Sequence, residues 1–191
     1  MDVRGDFPVL SRQINGKPIR YLDSACMALS PKQVIEKVLF YYENLGSCAG
    51  RSIHRLSVDT ARMVGESRRS FAKLINAEKS EIIFTKNTTE GLNLLSRTLP
   101  LNKGDTVLTS DIEHNSNLIP WQMLSERGVK HEVFPTEKGK VDLEKFQEMV
   151  EKKVKVVSTV HTSNILGTTF PIEKMAKISK EGERALKGFL A

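Results

Sequence analysis

The sequence predicts an α/β protein: a mostly parallel sheet with helices on both faces, preceded by an N-terminal helical segment. Three observations carry this. From Glu81 onward, short β-forming runs at Ile82–Phe84, Thr106–Thr109, His131–Phe134 and Lys155–Val160 alternate with stretches whose apolar residues recur at helical spacing. Turn and stop signals separate them, Asn102-Lys-Gly-Asp and Gly128 among them. No internal repeat or low-complexity segment breaks the alternation. Strands that alternate with helices imply parallel pairing with right-handed crossovers.

Taken in order, residues 1–20 place Asn15-Gly16-Lys17-Pro18 as a turn between short extended pieces, and Tyr21-Leu-Asp-Ser-Ala follows as extended chain. Ser30-Pro31 reads as an N-cap followed by Pro at the first helical position. Val34, Ile35, Val38, Leu39 and Tyr42 give that helix one apolar face. Gly46-Ser-Cys-Ala-Gly50 is a flexible loop. A long helix from about Ser57 to Asn76 is expected to turn Val58, Ala61, Val64, Phe71, Leu74 and Ile75 inward.

Ile82–Phe84 is read as a buried strand running into a helix over 88–98, whose Leu92, Leu94, Leu95 and Leu99 share a face. Asn87 three residues before Glu90 fits a capping box, with Asn in place of Ser or Thr. A helix near 117–127 carries Trp121 and Leu124, one over Val141–Val150 follows the third strand, and Pro171 opens a last helix bearing Ile172, Met175, Ala176 and Ile178. The chain thus divides into an N-terminal segment (1–80), a βα-repeat portion (81–181) and a tail (182–191).

Composition narrows the class. The chain has 191 residues and a formal charge of +6. Its Lys residues are interleaved with Glu, as in Glu137-Lys-Gly-Lys and Glu148-Met-Val-Glu-Lys-Lys-Val-Lys, which reads as a solvated helix face and not a nucleic-acid groove. A basic nucleic-acid-binding domain is the least favoured reading. Cys26 and Cys48 make no disulfide framework, and the opening residues hold no apolar core of signal-peptide length, so a reducing cytoplasm and no membrane contact are expected.

In a parallel sheet, ligands bind outside the carboxyl ends of the strands. Those ends are Thr85–Thr89, Asp111–His114, Pro135–Thr136 and Thr162–Asn164. They gather hydroxyls, an imidazole, an amide and a helix start whose free N–H groups and dipole suit an anion. No G-x-G-x-x-G and no G-x-x-x-x-G-K-[ST] occurs, which disfavours a dinucleotide or a P-loop phosphate chain. Zinc is a poor alternative, because Asp111, Glu113 and His114 crowd one short segment and no second pair completes a tetrahedral site.

Five motifs occur in one order: Tyr21-Leu-Asp-Ser-Ala, Arg51-Ser-Ile-His-Arg-Leu-Ser, Phe84-Thr-Lys-Asn-Thr-Thr-Glu-Gly-Leu-Asn, Glu113-His-Asn-Ser-Asn-Leu-Ile-Pro-Trp-Gln and His161-Thr-Ser-Asn-Ile-Leu-Gly-Thr. Together they resemble the pyridoxal-phosphate-dependent cysteine desulfurases of the class V aminotransferase group, of fold type I, nearest the branch that serves Fe–S cluster assembly. The resemblance runs from about residue 6 to residue 181, the first half of the family's length. It implies pyridoxal 5′-phosphate as cofactor, with Thr88 and Thr89 at its phosphate. His114 would stack on the ring and move a proton, and Asn164 would contact the ring's phenolic oxygen. Taken alone, His114 reads as a surface or capping His and Asn164 as a turn residue before Gly167. Lys86 reads equally as a phosphate contact or a solvated turn Lys. Arg51 and His54 fall in a loop that the family places near the active-site mouth. Cys26 and Cys48 read as small, partly buried thiols, not as the family's sulfur-accepting Cys.

The resemblance also marks a departure. The family continues into an Asp that pairs with the pyridinium nitrogen, a Ser-x-His-Lys segment whose Lys binds the cofactor covalently, and a C-terminal domain with the persulfide Cys and a carboxylate-binding Arg. The tail Gly182-Glu-Arg-Ala-Leu-Lys-Gly-Phe-Leu-Ala has no Asp and no His-Lys pair, and Lys187 lacks the neighbours of the anchoring Lys. The expectation is a truncated or split desulfurase that grips the cofactor non-covalently and is inactive by itself. Its partners would be a second copy or a complementing C-terminal half chain, with an Fe–S scaffold protein as a further one. The competing expectation is a non-catalytic dimerisation or partner-binding module.

Overall fold

The computed structural model describes residues 3–150, 154–181 and 188–190. Two compact units divide the chain, Met1–Phe84 and Thr85–Ala191. Lys187 and most of the tail lie outside the described residues.

In the first unit, β1 (Gln13–Ile14) and β2 (Lys17–Pro18) form an antiparallel hairpin. Its turn is Asn15-Gly16, both with positive φ, the primed geometry that matches strand twist. The Arg4 guanidinium donates to the Leu10 carbonyl at 3.1 Å and the Ile19 carbonyl at 2.7 Å, tying the preceding 3-10 turns to the hairpin. Helix α1 spans Lys32–Asn44 with Pro31, not Ser30, at the N-cap. Pro31 has an extended ψ of 154°, so helical geometry begins one residue later than the sequence suggests.

The predicted apolar face of α1 exists, but Val34, Ile35, Val38, Leu39 and Tyr42 are all exposed. Helix α2 (Arg55–Leu74) starts two residues before the expected Ser57, because the His54 ring caps it: Nδ1 accepts the Ser57 N–H at 3.4 Å. Its inward positions are Ser57, Thr60 and Ala72, whereas Val58, Phe71, Leu74 and Ile75 face solvent, against expectation. Helical spacing gives the stripe, but Val58, Phe71, Leu74 and Ile75 stay exposed because the described residues cover it only in part.

The predicted strand at Ile82–Phe84 is also corrected. Ile82 is extended (φ −92°, ψ 119°), yet the segment joins no ladder and Ile83 is 73% exposed. A strand exists only where a neighbour accepts its N–H groups, and none among the described residues does. Phe84 instead meets Phe71 edge-on at 5.6 Å and lies under the Arg68 guanidinium.

The second unit opens with α3 (Thr88–Thr98), at the predicted bounds. Next come β3 (Thr106–Ser110), α4 (Ile119–Gln122), β4 (Lys130–Phe134), β5 (Thr136–Glu137) and β6 (Lys140–Val141). The unit continues through α5 (Leu143–Val150), β7 (Val154–Ser158), α6 (Ile172–Glu181) and β8 (Gly188–Leu190). The single helix expected over 117–127 is a 3-10 turn (Asn115–Asn117), α4, and a second 3-10 turn (Met123–Arg127). Pro120, in the first turn of α4, has no N–H to continue a helix from upstream. Gly128 stops the run in the left-handed region, φ 75°, as expected.

Glu137-Lys-Gly-Lys, read as a helix face, is the β5–β6 hairpin turn, with Lys138 and Gly139 both at positive φ. Val141 pairs with Thr136, so α5 begins two residues late, where Asp142 Oδ1 accepts the Glu144 and Lys145 amides.

Among the described residues the main sheet has four strands in the order β4-β3-β7-β8, all parallel. The tail therefore supplies β8, an element the sequence did not announce. Adjacent residues of the central strands feed opposite faces. Val107 and Val156 pack with Leu92, Trp121, Leu124 and Val129 under α3 and α4. Leu108 and Val157 pack with Phe134, Phe146, Phe170 and Met175 under α5 and α6. The expected two-faced parallel sheet is thereby realised. The chain leaves β3 toward β4 on one side and leaves β7 toward β8 on the other. The carboxyl ends of β3 and β7 therefore flank the topological switch point, where such sheets bind ligands.

Gly139 gives a direct test of this packing. A Cβ there would lie 2.8 Å from Thr168 Oγ1 and 2.9 Å from Leu166 Cδ1, at a φ of +77°. Gly139→Ala is expected to lower stability by about 1–3 kcal/mol, from left-handed strain plus the clash. Urea unfolding checks it, and an unchanged midpoint contradicts it.

Candidate functional site

The carboxyl edge of the sheet is assembled by hydrogen bonds that lock three strand ends together. After β3, Asp111 donates its N–H to the Phe134 carbonyl at 3.2 Å, and its Oδ2 accepts the Thr136 N–H at 2.9 Å. This pins the ends of β3 and β4. Across the switch point, Glu113 Oε1 accepts the Val160 N–H at 2.9 Å, the Thr159 hydroxyl at 3.1 Å and the Ser110 hydroxyl. Glu113 Oε2 accepts the Asn117 amide at 2.7 Å. Asn117 Oδ1 in turn accepts the Trp121 indole N–H at 3.0 Å and the Ser158 hydroxyl. Ser110, Asn117, Trp121, Ser158 and Thr159 are buried, so this network forms the floor of the edge. It also explains why the predicted strand 155–160 ends at Ser158: the next two residues bond to Glu113 and not to a neighbouring strand.

Each predicted site residue lies on a segment at this edge: His114 and Asn164 follow β3 and β7, and Thr88 and Thr89 open α3. Helix α3 leads through a short turn into the start of β3, so its own start lies at the opposite, carboxyl end. Eleven helical residues and five strand residues both span roughly 17 Å. Thr88 and Thr89 are exposed in the first helical turn. Asn87 Oδ1 accepts the Glu90 N–H at 2.9 Å, while Glu90 returns its bond to the Lys86 N–H and not to Asn87, a capping box shifted by one residue. The first-turn amides of Thr88 and Thr89 have no intrahelical acceptor and point toward the rim. Lys86 is exposed in the turn.

His114 is exposed and caps the 3-10 turn that packs against α3. Its Nδ1 accepts the Ser116 N–H at 3.1 Å and lies 2.8 Å from the Ser116 hydroxyl, which leaves Nε2 to face outward. Asn164 is exposed in the turn after β7. There Ser163 Oγ accepts the Ile165 and Leu166 amides, and Gly167 adopts φ +68°. The isolated Thr162–Thr169 bridge closes that turn. The structure thus brings the segments bearing Thr88, Thr89, His114 and Asn164 to one edge.

Glu113 and Asn117 organise this edge through their hydrogen bonds, and pattern reading gives neither a role of its own. In the sequence both stand in the Glu113–Gln122 motif, Glu113 otherwise entering as a rejected zinc ligand and Asn117 as the start of a helix. Among the described residues no cluster of His, Cys, Asp and Glu fits a metal ion. Arg51 is exposed, and His54 serves as the α2 cap. Cys26 and Cys48 are exposed free thiols, not the partly buried ones expected, because the loops carrying them pack no apolar cover over them.

With this geometry in view, the chain can be set beside known proteins. Residues 20–187 match the family described as Aminotransferase class-V, and the chain belongs to that family. A probable cysteine desulfurase of Synechocystis sp. is 40% identical over 185 residues, covering 94% of this chain and 44% of the relative. A cysteine desulfurase of Serratia proteamaculans is 37% identical, covering 93% of this chain and 45% of its own length. The solved apo cysteine desulfurase of Thermococcus onnurineus NA1 superposes with a TM-score of 0.88 at 34% identity, covering 98% of this chain and 46% of that one. The chain therefore spans about half the length of the relatives it matches.

Two predictions follow from this edge. Asn87→Ala removes the α3 cap and is expected to cost about 1 kcal/mol in chemical unfolding; no loss contradicts the capping role. His131, half-buried on β4 with Nε2 3.0 Å from Thr109 Oγ1, has its pKa held below 6.5 by burial. The folded state therefore resists protonation. The stability this group contributes is fully present above about pH 6.5 and is lost as pH falls through the lower folded pKa. Urea midpoints of wild type and His131→Gln are expected to converge or cross between pH 7 and 5, and parallel curves contradict this.

Proposed function

We propose that this chain is the cofactor-holding half of a cysteine desulfurase-like enzyme, binding pyridoxal 5′-phosphate non-covalently at the carboxyl edge of its sheet. Pyridoxal phosphate is the cofactor of the cysteine desulfurase family. What supports the reading is that Thr88, Thr89, His114 and Asn164 are exposed on segments at the carboxyl edge of the sheet, next to a buried polar network. The donor set fits the group. The α3 amides and the Thr88 and Thr89 hydroxyls suit a phosphate, the dipole adding to the attraction. The flat His114 ring suits an aromatic face, and the Asn164 amide suits a ring oxygen. When bound, the cofactor supplies an electron sink for bonds at an amino-acid α-carbon. His114 Nε2 would hold or release a proton at that surface, its Nδ1 being fixed by Ser116.

The chain spans about half the length of its relatives, and the lysine that anchors the cofactor and the thiol that takes up sulfur are assigned to the half of the complete enzyme that it does not match. Desulfuration of cysteine for Fe–S cluster assembly, in a cytoplasmic setting, belongs to that whole assembly. No described helix is long and apolar enough to cross a membrane. A specific observation also favours a partner or second copy: the exposed apolar face of α1 and the extended, unpaired Ile82–Phe84. Unpaired apolar strand and helix surfaces of this kind are ordinarily covered by protein.

Titration with pyridoxal phosphate, followed by absorbance and induced circular dichroism, tests the reading. Saturable binding is expected, with Thr88→Ala/Thr89→Ala weakening it at least about tenfold, since each hydroxyl bond to a charged group contributes roughly 1.5–3 kcal/mol. Borohydride treatment should leave the protein mass unchanged. No saturable signal, or equal binding by the double variant, contradicts the proposal.

A further inference from the structure

We propose that Glu113 is the positioning residue of this site, a carboxylate clamp across the switch point that fixes both the His114 turn and the loop leading to Asn164. The inference rests on the proposed function for what the clamp serves, but the clamp itself stands on geometry. Glu113 receives donors from Ser110 on β3, from Asn117 on the following turn, and from Thr159 and Val160 after β7. Each is a donor aimed at a carboxylate oxygen, and an ionised carboxylate is acceptor-only with about four lone-pair sites. Three of the donors converge on Oε1 and one on Oε2, so a neutral amide here would turn its N–H toward the Asn117 amide and offer the other three a weaker acceptor.

The consequences for the rim follow from chain connectivity. Glu113 immediately precedes His114, and Val160 lies four residues before Asn164. Asn117, held by the same carboxylate, ends the 3-10 turn whose Ser116 amide is capped by the His114 ring. The clamp therefore sets the spacing between the imidazole on one strand end and the carboxamide beyond the other. The parallel ladder alone does not, because the last β3–β7 pair is Leu108 with Val157. Glu113 touches none of the outward-facing polar atoms itself, so it acts through its neighbours.

Glu113→Gln tests the proposal, with Glu148→Gln on the exposed face of α5 as the charge-loss control. Amide hydrogen exchange of the chain without cofactor should show Val160 exchanging roughly five- to tenfold faster in Glu113→Gln, the size expected when a charge-assisted hydrogen bond is replaced by a neutral one. The His114 ring signals in nitrogen-15 spectra should move, while exchange of the Val107 and Leu108 amides stays as in wild type. With pyridoxal phosphate at saturation, the induced circular dichroism should fall although binding persists, a readout that loss of stability alone would not move. Should Glu113→Gln fail to fold, Thr159→Val removes a single donor at matched shape and is expected to shift the same signals to a smaller extent. Unchanged Val160 exchange and unchanged His114 signals in the folded variant overturn the clamp. If wild type shows the clamp signals but no cofactor-induced band, the clamp stands and the proposed function falls.

Discussion

The pairing of β3 with β7 is the constraint on which the second unit depends. These two strands supply Val107 and Val156 to one core and Leu108 and Val157 to the other, so each ladder position is buried on both sides. Burying such side chains contributes roughly 1.5–3 kcal/mol apiece. That anchors the helices on both faces and leaves the carboxyl ends of the strands as the place where side chains can be polar. Ser110 and Ser158, at those ends, are buried but hydrogen-bonded, the transition from apolar core to polar floor occurring within one residue.

From that floor upward, the rim is specified by short local devices. Asn87 caps α3, Ser116 fixes the His114 ring, and Ser163 with Gly167 shapes the turn bearing Asn164. Each leaves a polar side chain exposed while satisfying a neighbouring backbone group. This division of labour suits a cofactor with one anionic end and one flat aromatic body, and it needs no metal.

Much of this was legible in the sequence because it is local. The α3 bounds follow from Asn87, Glu90 and the Leu spacing, and the Gly128 stop follows from the need for a left-handed residue. The parallel sheet follows from the alternation of β-forming runs and helical faces. What failed was non-local. Ile82–Phe84 has a strand's composition but no strand neighbour among the described residues, and Val58, Phe71 and Leu74 have a helix stripe but remain exposed. Pro120 divides a helix that periodicity alone joins, and Glu137-Lys-Gly-Lys hides a hairpin turn because its charges match a helix face. Glu113 escaped notice for the same reason: its donors lie up to 47 residues away. The motif order did carry the family, and the match over residues 20–187 agrees with it.

The central claim is that hydroxyls, an imidazole and a carboxamide converge on one phosphorylated aromatic ligand. Mapping backbone and side-chain nuclear magnetic resonance shifts during addition of pyridoxal phosphate tests it most directly. The account predicts saturable shifts concentrated at Thr88, Thr89, His114 and Asn164. Shifts scattered over α1 and α2, or none at the sheet's carboxyl edge, would contradict it.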